Sequence, residues 1–202
     1  RYCYVTNELY PRDKGGIGRL LYNIIQHRAH AQTDDQISVV LPYAAAEVAA
    51  SLIDNYREKA ALYFARPLSK QEWGFVAAKA PTSIPMLADS VFDALGVIDT
   101  LRCAEREQGA PFDVIEVPDH GGLGAYLLRA RAAGQAFANT QIVCRLHSSF
   151  SIIAAYEPFE HARGLWSANR LDLEAQTVAQ ADRCIAHLDA IAQANKEHFN
   201  LP

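Results

Sequence analysis

No apolar run in this chain approaches the roughly 20 residues that a membrane-crossing helix needs, and no secretory leader stands at Arg1. Charge of one sign is also lacking. A net charge of -4 excludes bulk attraction to nucleic acid or to an anionic membrane surface. Cysteine is scarce, and Cys3, Cys103, Cys144 and Cys184 form no pair at metal-ligand or redox spacing. Three of them fall in strand-like apolar runs. The four read as buried, reduced thiols of a cytoplasmic protein rather than a disulfide framework. The glycines near the N-terminus are not followed by Gly-Lys-Ser/Thr, which excludes a nucleoside-triphosphate P-loop. No Gly-x-Ser-x-Gly elbow is present, so Ser148-Ser149 does not make a serine hydrolase. No internal repeat or low-complexity tract occurs.

What is present is ordinary globular material. Half of the 202 residues are apolar and 21% are charged, enough to bury a core of useful size. Short apolar runs at Tyr2–Thr6, Ile37–Leu41, Ala61–Ala65, Val114–Val117, Ile142–Leu146 and Cys184–Ala186 read as strands covered on both faces. Helical patterns lie between them. Ile17, Leu20, Leu21, Ile24 and Ile25 make one buried stripe, as do Ile84, Leu87, Val91, Leu95 and Ile98. Leu123, Leu127 and Leu128 follow Gly121-Gly122, and Leu171, Ala175, Val178 and Ala179 lead into Ala181-Asp182. The Ala-rich stretch Ala44–Ala50 reads as helix. The alternation predicts an α/β protein with a Rossmann-like, doubly wound, mainly parallel sheet, one domain over residues 1–202. Arg66–Thr82 and Phe150–Trp166 do not fit the alternation. The chain starts without Met and enters a strand at once, so it is expected to be a piece of a longer protein.

The segment Asn7 to Gly18 carries the strongest local signal. It joins a strand to a helix and holds Gly15, Gly16 and Gly18. Glycine lets backbone N–H groups come close to an anion, and the helix N-terminus adds partial positive charge. Gly15, Gly16 and Ile17 are therefore candidates to hold a phosphate. A tight turn with no ligand fits the loop equally well. The usual dinucleotide fingerprint is incomplete, because its third glycine falls at Leu21.

Ligands of open α/β sheets bind outside the carboxyl ends of the strands. That rule selects Glu8 after the first strand, Asp119 and His120 after the fourth, and Arg145, His147 and Ser148 at the end of the fifth. Imidazole at a strand tip can donate to a sugar hydroxyl or steady developing charge, which makes His147 the candidate catalytic residue. Capping the strand end is its simpler role. Arg145 and His147, two apart, point to one side. Asp119 can accept two hydroxyl hydrogen bonds, but its position before Gly121-Gly122 favours capping of the next helix. Phe150, Tyr156, Phe159 and Trp166 suit either a sugar-acceptor wall or ordinary core packing. His120 and His147 lack the Cys or carboxylate companions of a zinc site, so no metal is expected.

Taken together, these residues resemble the N-terminal domain of family-4-type GT-B glycosyltransferases, relatives of glycogen and starch synthases. The likeness rests on Pro11–Gly18, on Phe112-Asp113-Val114-Ile115-Glu116, and on Pro118 to Leu127. Leu146-His147-Ser148 and Ala181-Asp182-Arg183-Cys184-Ile185-Ala186 extend it. Where the synthases carry a Lys before the glycine pair this chain has Asp13, with Lys14 one residue on. The resemblance implies a retaining transferase that moves a sugar from a nucleotide sugar to a carbohydrate or other hydroxyl acceptor, with no cofactor besides that donor. Gly15 and Gly16 would approach the donor diphosphate, His147 the transferred sugar, and Asp119 or His120 the sugar or acceptor. A C-terminal donor-binding domain would lie outside this chain, leaving the fragment inactive alone. The other readings are half of a GT-B nucleotide-sugar epimerase and a non-catalytic interaction domain that keeps the fold.

Overall fold

The computed structural model describes residues 1–31, 34–42, 46–65, 85–156 and 165–201. Six strands form one sheet: β1 (Tyr2–Val5), β2 (Ile37–Leu41), β3 (Ala61–Phe64), β4 (Val114–Pro118), β5 (Gln141–Leu146) and β6 (Arg183–Ala186). Their order is β3-β2-β1-β4-β5-β6, and every neighbouring pair is parallel. The helices are α1 (Gly16–His30), α2 (Ala46–Tyr56), α3 (Pro85–Gln108) and α4 (Leu123–Ala132), then α5 (Phe150–Tyr156), α6 (Leu165–Gln180) and α7 (Asp189–Phe199). The expected strands are all present, with ends moved by one residue at most. Arg66–Thr82 lies outside the described residues.

The sheet has period-two faces because successive side chains alternate. Cys3, Val5, Ile115, Val117 and Ile142 point one way, into a core closed by Val97 and Leu101 of α3 and Leu127 of α4. Tyr4, Val39 and Leu41 point the other way and meet Leu21 and Ile25 of α1 and Leu52 and Tyr56 of α2. Leu21 and Ile25 are four apart, so one helix face covers that surface. Such burial stabilises by about 1.5–3 kcal/mol per side chain. On this second face the sheet turns polar at β4 and β5. Arg145 grips the buried Glu116 with both Nε and a terminal nitrogen, the latter at 2.9 Å. The Tyr2 hydroxyl donates to the same carboxylate at 2.5 Å.

Chain order reverses across β1 and β4, which are hydrogen-bonded neighbours, so a crevice opens beyond their carboxyl ends. Among the described residues, no helix is long and apolar enough to cross a membrane. The cysteine expectation needs correction. Cys3 and Cys144 are buried, but Cys184 is only half-buried and Cys103 is exposed. Cys103 lies on α3, where one helix face looks outward.

Candidate functional site

Three strand-end loops meet at the crevice. The first, after β1, is braced by local bonds. The Leu9 N–H donates to the Asp13 carboxylate at 3.0 Å, and the Asp13 N–H returns to the Leu9 carbonyl at 3.0 Å. Arg12 donates to the Asn7 carbonyl at 2.6 Å and to Asp13 at 2.6 Å. Leu9 is fully buried, and the Tyr56 hydroxyl of α2 donates to the Tyr10 carbonyl at 2.6 Å. Asp13, standing where the resemblance places a lysine, is thus a loop brace, and Lys14 is exposed.

The glycines of this loop have separate reasons to lack a side chain. A Cβ at Gly18 would sit 3.1–3.3 Å from the backbone of Asp13, Tyr10 and Leu9, so this glycine permits close packing of helix on loop. A Cβ at Gly15 would fall 2.3 Å from the Glu8 carboxylate. A Cβ at Gly16 would meet nothing within 4 Å, and its φ is not positive. Glu8 folds back on its own loop, where its Oε2 accepts from the Gly18 N–H at 3.3 Å. One donor at the start of α1 is therefore already turned toward an anion, and that anion is internal.

The loops after β4 and β5 are built together. Gly121 and Gly122 both have positive φ, 85° and 68°, a backbone that other residues rarely adopt. Gly122 is itself the N-cap of α4, with no side-chain cap bond. The expected capping role of Asp119 is thus overturned, because two left-handed glycines already turn the chain into the helix. Asp119 instead reaches across to the next loop and accepts from the His147 N–H at 2.9 Å. It is fully buried, and its Oδ1 has no well-aligned partner. Burial raises its pKa to about 6, and the charge of Glu174 adds to the rise.

His120 is held on both sides. Arg170 of α6 donates to its Nε2, and its other nitrogen faces the Ser148 carbonyl. That arrangement assigns the Nδ1–H tautomer. Burial, with the Arg170 charge second, lowers its pKa and keeps the ring neutral. His147 stands at the tip of β5, half-buried. Burial first, then Arg145 and His187, push its pKa down to about 4. At neutral pH it is an uncharged imidazole with one N–H to donate and one nitrogen to accept. Its ring lies 5.6 Å from that of His187, beyond β6. Ser148 is exposed, and the buried Ser149 turns inward to cap α5, accepting from the Ile152 N–H at 3.2 Å.

A small cavity of about 20 Å³ runs between α1 and these strand ends, lined by Thr6, Ile17, Leu20, Glu116, Arg145 and His147. It offers room for one water rather than a sugar ring. It does bring the first turn of α1 and the tip of β5 to one place. Arg145 and His147 share it, as their spacing predicted, but the Arg145 guanidinium is engaged with Glu116.

Sequence reasoning missed Glu174 of α6. It is fully buried and binds four donors: Gly121 N–H at 2.7 Å, Phe150 N–H at 3.1 Å, Ser151 N–H at 2.8 Å and the Ser151 hydroxyl at 2.6 Å. Arg170 lies 3.8 Å away. One carboxylate therefore ties the turn after β4 to the start of α5. Its signal was present in the sequence, as a Glu inside the stripe Leu171, Ala175, Val178. Phe150 packs its ring 4.9 Å from the Arg170 guanidinium. Phe159 and the Tyr156 and Trp166 side chains lie outside the described residues. Among the described residues, no group of three His, Cys, Asp or Glu could hold a metal ion.

No protein-family model matches the chain, and no curated protein matches it in sequence. A solved structure does match, that of Phytolacca americana apo UGT2, with a TM-score of 0.54 at 12% identity. The alignment covers 96% of this chain and 48% of that one, so the chain spans about half the length of this structural neighbour. At that identity the likeness establishes the fold. The protein is an α/β, Rossmann-like, all-parallel doubly wound domain, consistent with one half of a GT-B fold.

Proposed function

We propose that this chain is the acceptor-side half of a glycosyltransferase that moves a sugar from a nucleotide-sugar donor to a carbohydrate or other hydroxyl acceptor. In this reading a second, donor-binding domain completes the enzyme. One observation carries most weight: the glycine-led start of α1 and the neutral His147 meet at one cavity beyond the parallel strands. The structural neighbour, a plant glycosyltransferase by name, supports the same general kind. The retaining, family-4-type assignment rests on the sequence motifs alone.

The residues divide the work in a definite way. The start of α1 offers N–H donors to a diphosphate once Glu8 yields its place. His147, uncharged at neutral pH, hydrogen-bonds a hydroxyl of the transferred sugar without repelling charge that develops beside it. Asp119 holds the His147 backbone, and His120 is fixed by Arg170 facing the same crevice.

The test uses the natural full-length protein that carries this chain. A panel of nucleotide sugars and hydroxyl acceptors should give transfer. His147→Ala should lower turnover by ~100-fold, the usual worth of a positioned proton-bearing group, with little change in melting temperature. Absence of transfer and of donor hydrolysis across the panel would reject the reading. Unchanged turnover in His147→Ala would remove His147 from the chemistry while leaving the transferase reading intact.

A further inference from the structure

The two strands beside the crevice repeat a pattern that their distance in the chain conceals. β5 runs through Cys144-Arg145-Leu146 and leads into His147, and β6 runs through Cys184-Ile185-Ala186 and leads into His187. The parallel register sets Cys144 against Cys184, Arg145 against Ile185 and Leu146 against Ala186. The two histidines follow in step, with ring centroids 5.6 Å apart. Cys144 and Cys184 pack in the same apolar cluster, with Leu146, Val178 and Ile191.

We propose that Cys144 and Cys184 form a peroxide-sensitive dithiol whose disulfide links β5 to β6 three residues before the His147–His187 pair. Neighbouring strands lie about 4.7–4.9 Å apart. That falls inside the roughly 4.4–6.8 Å between Cα atoms that a disulfide spans. Register partners on one face have their Cβ atoms pointing the same way, so closure needs side-chain rotation and little backbone movement. Access is asymmetric: Cys144 is fully buried, whereas Cys184 is half-exposed. In its neutral form the Cys184 thiol donates to the Val178 carbonyl at 3.4 Å. Interaction between the two sulfurs lowers the Cys184 pKa, and together with burial it raises that of Cys144. Cys184 is thus the sulfur that meets solvent and the readier of the two to ionise, and Cys144 is the resolving thiol held behind it.

The chemistry closes with hydrogen peroxide as the oxidant. The Cys184 thiolate attacks one peroxide oxygen, the O–O bond breaks, and one water leaves with a proton from solvent. Cys184 becomes a sulfenic acid. The Cys144 sulfur then attacks the Cys184 sulfur. The S–S bond forms, the S–O bond breaks, and hydroxide leaves as a second water with the Cys144 proton. Two thiols lose two electrons and one peroxide gains them. The cross-link adds a covalent tie between the paired strands just before the turns that carry His147 and His187.

The inference does not depend on the transferase reading, because its test reads thiols rather than sugar transfer. The natural protein is treated with a small excess of hydrogen peroxide under a metal chelator, then alkylated and mapped by mass spectrometry without reductant. The expected result is a linked peptide pair carrying Cys144 and Cys184, lighter by two hydrogens. Free thiols of the chain should fall from four to two, and dithiothreitol should restore them. Cys184→Ser should abolish the loss at Cys144, and Cys144→Ser should leave a dimedone-reactive sulfenic acid on Cys184. The wild-type map decides by itself if either variant fails to fold. The proposal is overturned if both thiols stay reduced, if Cys184 runs on to sulfinic acid while Cys144 stays alkylatable, or if Cys103 takes the place of either partner.

Discussion

The loop after β1 and the paired loops after β4 and β5 face one crevice, yet they are built on opposite plans. The glycine loop is held mostly by bonds within itself: Asp13 to Leu9, Arg12 to Asn7, Glu8 to Gly18. Its rim is open, with Lys14 and Gly16 exposed. The other two loops are held from outside by Glu174, which reaches back 53 residues to Gly121 and 24 residues to Phe150. Asp119 adds a bond across 28 residues to His147. A locally braced loop can shift without disturbing the sheet. Loops tied through one buried carboxylate keep or lose their geometry together. The crevice therefore has one adaptable wall and one fixed wall, and the two histidines stand on the fixed one.

The largest way to break that contrast is Glu174→Ala. It would leave the Gly121, Phe150 and Ser151 N–H groups and the Ser151 hydroxyl without their shared acceptor, and remove the carboxylate beside Arg170. Removing one member of a buried charged network typically costs about 3–5 kcal/mol. The expected outcome is a large fall in melting temperature, with increased amide exchange at Gly121, Phe150 and Ser151. Exchange at Leu9 and Asp13 should change only as much as global stability does. If the glycine loop loosens equally in stability-matched conditions, the two walls are one unit and the comparison fails.

A smaller effect sharpens the fixed wall. Asp119 has its pKa raised from 3.8 to about 6 by burial, so its protonated form is favoured by folding. Its contribution is full below pH 3.8 and is lost as pH rises through about 6. His147 has its pKa lowered from 6.5 to about 4 by burial, so its neutral form is favoured. Its contribution is full above pH 6.5 and is lost as pH falls through about 4. The two slopes oppose each other between pH 4 and 6. Asp119→Asn leaves the His147 slope unopposed, so this variant should lose stability on acidification relative to the parent. It should also gain roughly 1–3 kcal/mol at pH 7, where the cost of burying the Asp119 charge is removed. His147→Gln should show the reverse slope, losing stability as pH rises from 4 to 6. Denaturant melts at steps of pH check both signs. Parallel curves for Asp119→Asn and the parent would mean that Asp119 is ionised at no cost.

The same division explains what could be read from the sequence. Strand positions and the α1 stripe were legible because short apolar runs and a 3.6-residue period are local patterns. So was the approach of the start of α1 to His147, which follows from both lying at the carboxyl ends of parallel strands. The role of Asp119 was misread, since an Asp before a glycine pair suits a helix cap and nothing nearby signals a partner 28 residues on. Glu174 went unseen for the same reason: its meaning lies in three amides brought to it by folding. Cys144 and Cys184 show the case most plainly. Their separation in the chain carries no motif, and only the β5–β6 register makes them neighbours.

The smallest expected effect on stability is at Gly16, on the adaptable wall. Gly16 opens α1 with no positive φ and no atom within 4 Å of an added Cβ. Neither backbone strain nor packing therefore requires glycine there. Alanine is the better helix former by up to about 1 kcal/mol, so Gly16→Ala should leave the melting temperature unchanged or slightly raised. Gly18→Ala is the contrast, because its Cβ would press on loop backbone at 3.1–3.3 Å. Crowding of that kind costs about 1–3 kcal/mol. If Gly16 serves a phosphate, Gly16→Val in the full-length protein should fold normally and still lose transfer, since its branched side chain stands where the anion must approach. Losing one preorganised donor typically costs about 10²–10³ in turnover. Full activity in a normally folded Gly16→Val protein would show that the rim of the loop is a turn and that the donor phosphate lies elsewhere.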